Sequence, residues 1–360
     1  MARFAQATQR TGAAWAAFFL LTVALWLRWP AFGFSLWNVD EAIHAAAARV
    51  ILEGGVLYRD AIDQRTPLSY YVVAGVFALF GENNLWAVRC FVALLIAATG
   101  WLLFLAARRI APVAAGVAAG TLYVLLASAT LFQGDANAAN SEWFVAFFSS
   151  ACVLVFLSGG SIPSHGRLFA AGLLSGCSFL SKQPALLDSA GPLAALLYAN
   201  WRTGPPSRAL VLQLGWFTAG LLTPVLLSIA WFAAHGALAD ALFYAWHYNL
   251  SYYGPEISTA DRVGSLAAPF RLIGSSQPWL LALWLGGAVV ILHRLLQRVP
   301  TATESTTNAS RLLVAVWSLA GLAGAASGGR AFDHYSIQFL APFFLGAGLV
   351  LGSLAAGACT

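Results

Sequence analysis

Two carboxylates, Asp40 and Glu41, stand side by side directly after the first long apolar run of this chain. His44 follows at the i+4 spacing that places it beside Asp40 on a helix face. Adjacent acids at the edge of an apolar run suit a specific task, the removal of a proton from an attacking hydroxyl. They also suit a plain one. Asn38 can cap a helix here, with Glu41 as the third-position acid of a capping box and Asp40 complementing the helix dipole. On the residues alone both uses are open.

Further polar residues interrupt the apolar sequence. Arg65 precedes Thr66-Pro67, and Glu142 closes a polar loop that also holds Asp135 and Asn140. Lys182, the only lysine, lies in SFLSKQPALL between two apolar runs. Such a lysine suits an anionic headgroup or simply snorkels to the interface. Arg65 can snorkel too, and Glu142 can be an N-terminal helix charge behind Ser141. The segment YAWHYNLSYYG (244–254) offers aromatic rings for stacking on sugars or for an interfacial belt. Asp40, Glu41, His44 and His334 mix oxygen and imidazole donors, but spacing unites only Asp40 with His44, so no metal is expected. The cysteines (Cys90, Cys152, Cys177, Cys359) follow no metal-like or disulfide-like pattern.

The elements that must carry these residues are set by composition. Of 360 residues 60% are hydrophobic and 9% charged, far from the roughly 25% charged of soluble domains, so most of the surface must face lipid. The net charge of +5 is scattered, which argues against a nucleic-acid partner. Apolar runs predict spans over 12–29, 86–107, 112–132, 142–158, 168–181, 184–200, 209–233, 278–297, 311–327 and 337–357, about ten in all. The first has no cleavage site before Pro30 and reads as an uncleaved anchor. With the N-terminus inside, one side receives Arg108-Arg109, Arg167, Arg202, Arg208, Arg294, Arg298 and Arg311, and reads as cytoplasmic. The other side holds most carboxylates, including Asp40, Glu41, Asp60, Asp63, Glu142, Glu256 and Asp333.

Residues 67–80 would form a helix of about 21 Å, short of the roughly 30 Å hydrocarbon core, and are expected to lie in the outer interface. The preceding helix, 39–53, has Ile43, Ala47, Val50 and Ile51 on one face and is expected to lie flat on the membrane. Outer loop 30–85 is thus a structured element of a single transmembrane domain, 1–360, with no separate soluble domain expected.

The run DEAIHAAAARVILEGGVLYRDAIDQRTPLSYYVVAGVFALFGENNLWAVR resembles the first outer loop of GT-C glycosyltransferases. The similarity is to the protein mannosyltransferase-like and aminoarabinose transferase-like branch of bacterial lipid-linked sugar transferases. Its ordered elements are Asp40-Glu41, Gly54-Gly55, Tyr58, Arg65-Thr66-Pro67, Tyr70, Phe80-Gly81 and Arg89. His334-Tyr335-Ser336-Ile337-Gln338, then Pro342, resembles the His-Tyr pair before the family's late span. Many relatives continue into further spans or a soluble outer domain, whereas this chain stops after 337–357, which leaves acceptor recognition unassigned.

The resemblance implies an all-α, polytopic GT-C-like bundle with outer juxtamembrane helices, in a bacterial inner membrane. It implies transfer of a hexosyl or pentosyl group from a polyprenyl-phosphate donor to a hydroxyl of a glycan, lipid or protein acceptor, on the outer face, with inversion. Asp40 matches the catalytic carboxylate. Glu41, His44, Tyr58, Arg65, Glu142, Lys182, Arg330, His334 and Tyr335 become candidates for holding donor or acceptor, with no cofactor required. A multi-pass transporter, a lipid flippase or a non-catalytic subunit of an envelope-assembly complex remains a competing class, although no internal repeat supports the first.

Overall fold

In lipid every backbone amide must be satisfied within the chain, so apolar runs of this length become helices. The computed structural model describes residues 2–34, 36, 38–129, 138–160, 162–203, 208–252, 257–296 and 302–358. In order, α1 (Ala2–Phe32), α2 (Val39–Leu52), α3 (Leu68–Phe80), α4 (Leu85–Ile110) and α5 (Val113–Ala129) form the first half. Next come α6 (Ser141–Leu157), α7 (His165–Ser181), a 3-10 segment (Gln183–Ser189), α8 (Ala190–Thr203) and α9 (Arg208–Ala234). After these, α10 (Leu238–Leu242) runs through a π turn (Phe243–His247) into α11 (Tyr248–Tyr252), followed by α12 (Thr259–Ser276) and α13 (Pro278–Leu296). The last are α14 (Ala302–Ala326), a second 3-10 segment (Asp333–Ser336) and α15 (Ile337–Ala358). No β-strand occurs among the described residues.

Each run expected to span is largely helical over its described residues, but only five described helices are both long and apolar enough to cross alone: Gly12–Phe32, Leu85–Ile110, Arg208–Ala234, Thr307–Ala326 and Asp333–Ala356. The apolar helices α5 and α6 are described over 17 residues each, a rise of about 25 Å. Helix α12 was not expected from hydropathy. Its start is set by a complete capping box, Ser258 with Asp261.

The bundle centre is α4, α6 and α15, buried along most of their lengths, with α1 and α9 largely exposed at the rim. Since lipid supplies no hydrophobic drive between helices, close packing must hold them. Small residues provide it at the α7–α9 crossing. A Cβ on Gly172 would lie 2.0 Å from the Phe217 carbonyl oxygen, and one on Gly220 2.0 Å from that of Phe169.

Helix α2 sits differently from expectation. Asn38 caps α2, its side-chain oxygen accepting from the Glu41 amide at 3.0 Å, and Gly54 ends the turn beyond it at φ 89°. The buried residues are Glu41, His44, Ala45, Ala47 and Ala48, and of the expected apolar stripe Ala47 is buried while Ile43, Val50 and Ile51 are half-buried, so α2 packs on the bundle. The reason is electrostatic. Glu41, 1% exposed, forms a two-bond pair with equally buried Arg89 of α4, at 3.0 and 2.6 Å. Arg89 also donates to the Ala31 carbonyl at the end of α1, at 2.9 Å. One guanidinium thus fixes α1, α2 and α4 together.

Removing one member of such a buried pair strands the other charge, at a cost of about 3–5 kcal/mol. Arg89→Ala is therefore expected to lose the monodisperse, thermally stable state in detergent. Glu41→Leu/Arg89→Leu is expected to recover most of it, and thermal unfolding of the three proteins checks both.

Candidate active site

The site begins with the loop between α2 and α3. Tyr58 adopts φ 74°, unusual for a residue with a side chain, and its hydroxyl donates to the Arg65 carbonyl at 2.6 Å. Burial pushes the Tyr58 phenol well above its ordinary pKa, so it stays a donor. The Thr66 hydroxyl donates to the Phe179 carbonyl of α7 at 3.0 Å. Held at both points, the loop directs Arg65 back over the first turn of α2. There it donates to Asp40 at 2.6 Å and to Asp63 at 3.1 Å.

The second oxygen of Asp40 faces His334 Nε2 at 3.2 Å. Burial pulls the Asp40 pKa up, but Arg65 and then His334 outweigh it, and the carboxyl lies below its usual range. Asp40 is therefore an anion at neutral pH. Arg65 is almost fully buried, which opposes its charge, yet Tyr70, Asp40 and Asp63 carry its pKa well above the ordinary value. It remains a cation.

A second charged pair lies beside the first. Lys182 occupies the extended break between α7 and the 3-10 segment, and its ammonium pairs with Glu142 in the first turn of α6. The same nitrogen stands 3.6 Å from the centre of the Tyr335 ring, a cation–π contact. Tyr335 and His334 come from the 3-10 segment before α15.

Of these groups Arg65, Lys182 and Tyr335 line a cavity of about 350 Å³, with Asp40, Glu142 and His334 bonded behind its lining. Gln183, Trp246 and Arg262 of α12 line it as well. Gln183 donates to the Gln64 and Ala245 carbonyls, both at 2.8 Å, and so ties the first outer loop to the π turn. Asn249 bonds the same two carbonyls at 2.6 and 3.0 Å. Trp246 leans on Phe179, ring centres 5.4 Å apart, and presents an apolar face. Among the described residues no three histidine, cysteine or acidic side chains gather as a metal ion would require.

Six of the ten candidate residues thus converge: Asp40, Arg65, Glu142, Lys182, His334 and Tyr335. Four do not. Glu41 is turned inward to Arg89. His44 is fully buried, with Nδ1 donating to the Asp40 carbonyl at 2.7 Å and Nε2 accepting from Ser69 at 3.0 Å and Ser141 at 3.2 Å. Burial and then Arg65 lower its pKa, so it is a neutral brace for α2 rather than a substrate contact. Tyr58 acts behind the site, through the Arg65 backbone. Arg330 lines a separate open cavity with Arg271 and Asp261. Asp135 lies outside the described residues.

Sequence reasoning had not selected Asp63, Gln64, Gln183 or Arg262 as site residues. A usable signal existed for two, since Gln64-Arg65 and Lys182-Gln183 are both polar pairs just ahead of a proline at a helix boundary. Nothing comparable marks Arg262.

The sequence model of the dolichyl-phosphate-mannose-protein mannosyltransferase family matches residues 64–232. No curated protein sequence matches the chain. Among solved structures, ArnT from Cupriavidus metallidurans bound to undecaprenyl phosphate superposes with a TM-score of 0.64 at 15% identity, over 95% of this chain and 63% of that one. Its apo form gives 0.66 at 17% identity, over 94% and 60%. The oligosaccharyltransferase AglB from Archaeoglobus fulgidus, in complex with an inhibitory peptide and a dolichol-phosphate, gives 0.57 at 12%, over 97% and 51%. The chain therefore spans about three fifths of the ArnT length and half that of AglB. The superpositions and the mannosyltransferase match through residues 64–232 point the same way: this is a helical membrane protein of GT-C fold, similar over those residues to the mannosyltransferase family.

Proposed function

We propose that this chain transfers a hexosyl or pentosyl group from a polyprenyl-phosphate donor to an acceptor hydroxyl, on the outer face of a bacterial inner membrane. The observation that carries this reading is a cavity bordered by Arg65 and Lys182, with the anionic carboxylate of Asp40 held directly behind Arg65. The ArnT structure bound to undecaprenyl phosphate supports a lipid phosphate as the leaving group. Its apolar tail would remain in the bilayer while the phosphate meets the two cations.

In one displacement the acceptor oxygen bonds to the anomeric carbon and its proton passes to Asp40. The bond from that carbon to the phosphate oxygen breaks, its electron pair leaves with the phosphate, and the configuration inverts. Phosphate is stable as an anion, so no general acid is needed. The growing charge must instead meet fixed positive groups, and Arg65 and Lys182 are already oriented by Asp63, Asp40 and Glu142. His334 braces Asp40 from the far side. Trp246 offers its face to a sugar ring, and Gln183 and Asn249 shape the wall around it.

Asp40→Asn keeps the shape but removes the base, and turnover of a polyprenyl-phosphate sugar in liposomes is expected to fall by about 10²–10⁴ while the protein stays folded. Turnover equal to wild type would remove Asp40 from that role. The pH profile gives a second check. Since Asp40 works as an anion and its pKa is depressed, activity should persist into acid and fail only as pH falls through that lowered value. Arg65→Gln removes the stronger of the two cations that lower it, so the acid limb of kcat/KM should move to higher pH. An unmoved limb would show that another group sets it.

A further inference from the structure

Deep to the cavity lies a buried carboxylate that the proposed reaction does not use. Asp188 is six residues beyond Lys182 in the 3-10 segment, about 12 Å along it at a rise of 2.0 Å per residue. It is 5% exposed, and its hydrogen-bond partners are neutral. One oxygen accepts from the Ser149 hydroxyl of α6 at 2.7 Å, the other from the Gln338 amide of α15 at 3.1 Å. An ionisable group in such a setting is expensive to keep and calls for a reason.

The reason lies in what those bonds join. Gln338 is in the first turn of α15, directly after the segment that carries His334 and Tyr335, and its amide also reaches the Pro184 carbonyl at 3.3 Å. Pro184 follows Lys182 and Gln183 and lines the cavity. A single amide thus clamps both ends of the 3-10 segment to the base of the His334–Tyr335 segment. Ser149 in turn contacts Ser178 of α7 at 2.9 Å, and Ser175 pairs with Ser189, so α6 and α7 are tied to the same segment. Room for the clamp is provided on α14, where a Cβ at Gly324 would come within 2.3 Å of the Gln338 amide nitrogen.

We propose that Asp188 is a positioning residue, which through Gln338 fixes the distance between Lys182 and the His334–Tyr335 pair while touching neither the cavity nor a reacting atom. The consequence for sugar transfer rests on the function proposed above; the geometric claim does not. Loss of the clamp lets Lys182 shift against Tyr335 and Asp40, and a displacement of about 1 Å in a catalytic constellation can cost 10²-fold in rate.

The chain offers its own reporter, since Lys182 is its only lysine. Reductive methylation with [13C]formaldehyde labels that side chain and the terminal amine, and NMR resolves the two. In detergent-purified full-length protein, Asp188→Ala and Gln338→Leu are each expected to shift the Lys182 resonance. Each should lower kcat roughly 10- to 100-fold, with a much smaller change in donor KM. Combining them should cost no more than the worse single change. Asp188→Asn can keep the tie as an amide pair and should restore the resonance and most of the rate. Thr99→Ala, a buried hydroxyl loss on α4, should leave the resonance in place.

A folded Asp188→Ala protein with an unmoved Lys182 signal overturns the proposal, as do losses that multiply in the double variant. If Asp188→Ala does not fold, Gln338→Leu carries the same test. A shifted signal in a protein whose wild type transfers no sugar would uphold the clamp and reject the enzymatic reading.

Discussion

One buried ion pair, Glu41 with Arg89, determines how the first acidic helix of this protein is turned on the bundle. Glu41 and Arg89 satisfy each other with almost no solvent contact, and in doing so set the rotation of α2 about its axis. Successive residues on a helix point about 100° apart. With Glu41 committed inward, Asp40 must face the outer side, where Arg65 and His334 meet it. His44, one turn on, is then drawn beneath the helix and accepts hydroxyl bonds from α3 and α6. The two neighbouring acids are a structural group and a chemical one, and the first determines the direction of the second.

Around Asp40 the charges alternate: Asp63, Arg65, Asp40 and His334 form one series, Glu142 and Lys182 the other. Each cation is held by an anion before any substrate arrives. Such fixed dipoles need no reorganisation as negative charge develops on a leaving group, which is where a dry site gains most over water. The ion pairs also offset the desolvation cost of cations that line a cavity at the edge of lipid, since neither Arg65 nor Lys182 stands alone.

Much of this was legible in the sequence. The apolar runs marked the long helices other than α12, and the cap at Asn38 and the stop at Gly54 marked α2 almost to the residue. Asp40, Arg65 and His334 could be singled out through the ordered motifs that resemble the GT-C family, while Lys182 stood out as a charge between two apolar runs. Long-range choices could not be read. Glu41 looked like a capping-box acid because its partner, Arg89, is 48 residues away on another helix. Helix α12 escaped because its signal is a polar cap rather than an apolar run, and with it went Arg262. Asp188, inside an apparently continuous span, gave no sign that residues 183–189 wind as a tighter helix or that Gln338 would find it.

The cavity takes its walls from residues 64–65, 182–184, 245–249, 262 and 324–335. A ribosome delivers these segments to the membrane in that order, so the carboxylate and its arginine are in place long before the tyrosine that lines the cavity with that arginine. No partly synthesised chain can possess the site. Its last parts arrive just ahead of α15, whose buried apolar face must enter among helices already inserted. Closure of the cavity and entry of α15 are therefore coupled steps in the protein's biogenesis.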